Sequence, residues 1–159
     1  MIYAKKTVRQ RAIAFVSLAA LFAFSVALFA YYAVTHVPEL PTVAVTFGEG
    51  KEVFVLEVAQ TPAARRHGLM GRTELCEHCG MLFVFPDVGL HTFWMKNTPL
   101  SLDMIWVRDN AVVDIVERTT PLSEEPIIPR ADASQVIELP AGSVARFGIS
   151  VGDAVYRRQ

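Results

Sequence analysis

What this chain lacks narrows its reading. Its 159 residues hold two cysteines, so each has only its near neighbour as an intrachain partner. Fifteen Lys and Arg stand against 16 Asp and Glu, and a net charge of −1 leaves no electrostatic case for nucleic acid. No repeat of solenoid length and no low-complexity tract is present. There is no Gly-x-Ser-x-Gly elbow, no His-Glu-x-x-His pair and no phosphate-cradling glycine loop. Regular βαβ alternation is missing too, which argues against a Rossmann-like sheet.

Charge is also absent from one long stretch. Between Ala12 and Val34 no side chain is charged, and Lys5, Lys6, Arg9 and Arg11 come just before it. A helix of that length reaches about 34 Å, enough for a bilayer core of roughly 30 Å. The preceding basic residues favour a cytoplasmic N-terminus, which sends the rest of the chain to the far side. A cleaved secretory signal has a shorter apolar core and a small-x-small site, whereas this run ends in the bulky Phe29-Ala30-Tyr31-Tyr32. A buried core helix is disfavoured because the segment is apolar all round. The expected plan is a basic cytoplasmic N-terminus (1–11), a single-pass anchor in the inner membrane (12–34), a Pro-stiffened linker (35–41) and an extracytoplasmic domain (42–159). The anchor inflates the hydrophobic fraction of 52%.

Local patterns in the exported part point to many short strands. Thr42 to Phe47 and Val53 to Val58 read as a hairpin around Gly48-Glu49-Gly50-Lys51. Thr61 as N-cap, Pro62 at the first helical position and Gly68 as terminator predict a short helix. Gly80 to Phe85, stopped by Pro86, reads as a strand buried on both faces. Further strands are expected at Leu90 to Met95, Leu102 to Arg108, Ala111 to Glu117, Gln135 to Leu139 and Asp153 to Arg157. Asp109-Asn110 supplies turn chemistry for a second hairpin. Thr119 to Ser134 reads as an extended loop and Ala141 to Gly148 as a short helix. The expected fold is α+β, mainly antiparallel, a small partly closed barrel or sandwich with two short helices.

Five ordered blocks carry a resemblance: Arg65 to Arg72, Gly80 to Phe85, Phe93 to Asp103 (FWMKNTPLSLD), Val136 to Gly142, and Gly148 to Val155. Together they resemble the domain of unknown function 192 family over roughly Val43 to Tyr156. The resemblance implies a small, mostly β domain of bacteria and archaea, often preceded by a signal or anchor, and brings no transferable activity. Many relatives carry acidic or polar residues where this chain has Cys76-Glu77-His78-Cys79, so a function of that pair would not be the family's.

Candidate residues follow from side-chain chemistry. With Phe93 and Met95 facing a core, alternation turns Trp94 and Lys96 outward. Trp94, Lys96 and Asn97 then offer a surface that stacks a ligand's face and hydrogen-bonds its rim, with Asp103 and Arg65 as further ligand-binding candidates. The competing reading makes Asn97-Thr98-Pro99 a turn and Asp103 a loop tie, with an ion pair from Lys96 to Asp103 as another option. Arginines ending a short helix also stabilise its dipole without any functional role. Cys76 and Cys79 are disulfide candidates; redox or metal chemistry on them is the alternative, weakened because the pair precedes a strand rather than a helix. Hydrolysis of envelope polymers by carboxylates has no geometric support. No catalytic residue, metal ligand or cofactor is assigned. The partners expected are the membrane, through residues 12–34, and an unidentified envelope ligand or protein.

Overall fold

The computed structural model describes residues 21–28, 39–49 and 52–158. The expected N-terminus (1–11), both flanks of the expected anchor (12–20 and 29–34) and linker residues 35–38 lie outside the described residues. Residues 21–28 are helical, with Leu21, Phe22, Phe24, Val26 and Leu28 exposed. Among the described residues no helix is long and apolar enough to cross a membrane. The chain divides into two compact units, Met1–Glu39 and Leu40–Gln159.

The second unit is built on seven strands: β1 (Thr42–Phe47), β2 (Phe54–Ala59), β3 (Cys79–Gly89), β4 (Leu102–Arg108), β5 (Ala111–Val116), β6 (Ala133–Pro140) and β7 (Val155–Arg158). Two short helices accompany them, α1 (Pro62–His67) and α2 (Ser143–Phe147). The strands form one sheet in the order β5-β4-β6-β3-β2-β1-β7. Its edges meet at one end: Ala111 bridges Ala154, and the Val112 N–H donates to the Asp153 carbonyl at 2.9 Å. The result is a curled, partly closed half-barrel rather than a sandwich. Asp109 and Asn110 turn the β4–β5 hairpin with φ of 51° and 59°, the left-handed pair that matches strand twist.

Three local expectations change. β2 and β3 pair in parallel, Val55 beside Cys79 through Ala59 beside Phe83, with α1 in the crossover. Pro86 does not stop β3. The strand continues to Gly89, and the proline lies where the ladder to β6 breaks between Val84 and Gly89, so its missing N–H leaves no gap. Leu90 to Met95 is no strand; among the described residues its β-type pairing is the isolated Phe93–Ile127 bridge. β6 already has β3 on one side and β4 on the other, and the segment packs Phe93 and Met95 onto the sheet face instead.

Alternation along the central strands divides the apolar residues between two faces. Leu82, Ile105, Ile137 and Leu139 join Val45, Phe54, Leu56 and Val155 in a core to which all seven strands contribute. Met81, Phe83, Met104, Trp106 and Val136 face the other way, against Leu69 and Met95 from the connecting segments. That second face is roofed by two loops, knitted by backbone bonds between Phe93 and Ile127, Met95 and Ser123, and Thr98 and Leu122. Gly80 permits the tight centre: a Cβ there would collide with the Glu138 carbonyl oxygen and come within 2.9 Å of Leu56 and Leu139.

Candidate functional site

The site forms where α1 and the Phe93–Thr98 segment border the roofed face. Thr61 Oγ1 accepts from the Ala64 N–H at 3.1 Å, Pro62 opens the helix, and Gly68 (φ 50°) ends it with its N–H on the Ala64 carbonyl. The six-residue helix thereby presents Arg65, Arg66 and His67 together in its last turn. Arg65 Nη1 donates to the carbonyls of Gln60 (2.7 Å) and Val84 (2.8 Å), while its guanidinium lies 5.1 Å over the Phe85 ring. Phe85 stacks on His91 at 3.6 Å, and Phe93 stands edge-on to both Phe83 and Trp106.

Met95 is buried in the second core, whereas Trp94 is 51% exposed. Between this tryptophan and α1 runs an open groove of ≈ 440 Å³, walled by Pro62, Arg65, Arg66, Phe85, Phe93 and Trp94. A nook of ≈ 40 Å³ shares Arg65, Arg66, Phe93 and Trp94 with the groove and reaches to Gly68, Phe83, Thr98 and Glu138.

Glu138 sits midway along β6, opposite Met81 on one side and Met104 on the other. It is 5% exposed; among the described residues no hydrogen bond to its carboxyl group contributes to its titration, and no side-chain oxygen is both sealed from solvent and unpartnered, so the carboxyl opens onto the nook. Burial without a compensating donor pushes its pKa up to about 8. Glu138 was not among the candidates read from the chain. Its signal was there, a lone acid inside the apolar strand Val136-Ile137-Glu138-Leu139.

The expected ligand-binding residues divide. Arg65 and Trp94 come together on the walls of groove and nook. Lys96 sits beside Trp94, its Nζ 5.6 Å from the ring, and pairs with Glu124 at 3.3 Å rather than with Asp103. Asn97 adopts φ 53°, and its carbonyl accepts from the Gly71 N–H at 2.8 Å; it lines neither cavity. Asp103 is fully buried away from the groove. One of its oxygens accepts from the Arg118 N–H (2.9 Å), the other from the N–H groups of Gly142 (3.0 Å) and Val144 (2.8 Å).

Cys76 and Cys79 are joined by a disulfide at the start of β3. They border a separate groove of ≈ 440 Å³, beside the two-bond pair that Arg72 makes with Glu57 (2.6 Å each). Among the described residues no group of three His, Cys, Asp or Glu side chains is placed to hold a metal ion.

Residues 43–156 match the family model described as DUF192, Uncharacterized ACR. No curated protein matches the chain. Two solved structures share the fold. A putative transcription regulator from Sinorhizobium meliloti 1021 is 34% identical with a TM-score of 0.73, over 76% of this chain and 97% of that one. A protein of unknown function from Novosphingobium aromaticivorans DSM 12444 is 38% identical with a TM-score of 0.69, over 74% and 86%.

Proposed function

The chain belongs to the DUF192 family, and from that premise we propose that it is a small-ligand binding module of the cell envelope, tethered by residues 12–34. The observation that carries this reading is the groove between α1 and Trp94. An exposed indole, Phe85, Phe93 and two prolines offer apolar surface there, and Arg65 and Arg66 stand at its wall. Concave, mostly apolar walls with a few convergent polar groups are what small-molecule sites require. An envelope position agrees with the uncharged stretch from Ala12 to Val34 and the basic residues before it. Tethering raises the module's effective concentration toward other components of the same membrane.

Binding is favoured over hydrolysis by the acid count at the site. Glu138 is the one carboxylate among the residues that line groove and nook, and polymer hydrolysis by paired carboxylates needs two. Redox chemistry at Cys76–Cys79 ranks lower because the pair opens a strand, without a helix N-terminus to acidify a thiol.

Thermal-shift screening of small amphipathic compounds tests the binding reading. Hits should raise the melting temperature of the full chain and lose that effect in Trp94→Ala. Hits indifferent to Trp94→Ala would move the site elsewhere. For the tether, a reporter enzyme active only outside the cytosol, fused to the C-terminus, should be active; activity of a cytosolic reporter instead would refute it.

A further inference from the structure

We infer that the nook beside α1 receives a primary ammonium group of the ligand, held by Glu138 between Phe83, Phe93 and Trp94. This deepens the groove reading and rests on it. The nook's ≈ 40 Å³ is about a tenth of the groove's ≈ 440 Å³, room for a small polar head and too little for a ligand body. A ligand body lying in the groove would therefore extend only its head into it.

Glu138 and the aromatic walls favour a cationic head. An acid that faces only the nook, with no protein donor, is open to a ligand donor, and an ammonium brings three N–H donors at once. Aromatic walls favour a desolvated cation through their ring quadrupoles. The groups facing Glu138 do not meet that demand themselves. Met81 and Met104, opposite it on β3 and β4, carry no charge. Thr98 Oγ1 already donates to the Lys96 carbonyl at 3.2 Å. On α1, Arg65 spends its Nη1 on Gln60 and Val84, and Arg66 and His67 are exposed. Arg65 and Arg66 border groove and nook alike and His67 borders the nook, so the two guanidiniums stand at the rim, where they suit an anionic or polar group elsewhere on the same ligand.

Proton linkage gives this pairing a signature. With its pKa near 8, Glu138 is mostly protonated at neutral pH, and an arriving ammonium drives the proton off. Affinity then rises by about tenfold per pH unit below 8 and levels off above it, with up to one proton released per ligand bound.

The test uses the full chain in detergent with three probes of one shape: benzylammonium, benzyl alcohol and benzoate. Calorimetry at pH 6, 7 and 8, in buffers of differing ionisation enthalpy, reads affinity and proton release together. Benzylammonium should bind at least about tenfold tighter than the other two at pH 8. That preference should vanish in Glu138→Gln, while Trp94→Ala weakens benzyl alcohol and benzylammonium alike. Equal binding of alcohol and ammonium, or a preference that survives Glu138→Gln, overturns the ammonium site; if Trp94→Ala still weakens the probes, the groove stands without it. Probes that fail to bind, or bind regardless of Trp94, overturn groove and nook together.

Discussion

Asp103 and Glu138 sit one register step apart on paired strands, and they point to opposite faces of the same sheet. Asp103 lies opposite Leu139, and Glu138 lies opposite Met104. Both are buried acids, yet they differ in every partner. Three backbone N–H groups converge on Asp103, so its charge ties the Arg118 loop and the start of α2 to β4. No donor among the described residues reaches Glu138, and its proton is held to about pH 8. A buried acid with full partners is a strut; one without them, facing a nook, is an open valence. Asp114 stands between the two: burial alone would raise its pKa, but hydrogen bonds from the Arg130 side chain and N–H and from the Ile115 N–H hold it below the usual range.

Substitutions break this comparison in order of size. Asp103→Ala should be the most harmful, losing about 3 kcal/mol or more of unfolding free energy in urea, because three N–H groups are left without an acceptor. Glu138→Gln should move stability the other way. A carboxyl whose folded pKa lies above its unfolded value binds more protons folded than unfolded, so its contribution falls as pH rises from about 4.5 to 8. Removing it should stabilise the chain at pH 7, by an upper limit on the order of 3 kcal/mol, while the preference for the ammonium probe is lost. Wild type should lose stability across that window and Glu138→Gln should not; parallel profiles would show that the acid has a partner after all.

Asp114 carries the opposite sign. Its folded pKa is depressed, so its contribution is full above the ordinary carboxylate range and disappears as pH falls through the lowered value. Asp114→Asn should cost about 1–2 kcal/mol at pH 7, discounted because the partner Arg130 is largely exposed, and nothing once the pH has fallen below the lowered Asp114 pKa. Acid-unfolding curves of the two proteins should therefore converge. Trp94→Ala should be smallest in stability, within about 0.5 kcal/mol in the same urea titration, since half of the side chain already sees solvent.

Local chemistry was the legible part of this fold. The caps of α1, the Asp109-Asn110 turn and the strands of both hairpins depend on neighbouring residues, and the chain reads them directly. The parallel β2–β3 pairing depends on which edges are free once the sheet is assembled, and no local pattern encodes that. Leu90 to Met95 carries strand-like residues but joins no sheet edge; its Phe93 and Met95 pack on the second face as roof instead. Asp103 closes the same sequence block as Trp94, which suggested a shared surface. The chain between them turns through Asn97 and enters β4, leaving the acid among backbone amides. Glu138 was missed for a related reason: alternation says only which neighbours share its face, and the loops roofing that face come from distant segments.

The most direct test is a ¹³C NMR titration of the Glu138 carboxyl carbon in the full chain, with and without benzylammonium. A midpoint near 8 that drops when the probe is added is the predicted result. A midpoint near the ordinary 4.5, or one near 8 that the probe leaves unmoved, would contradict the assignment of this acid to a ligand.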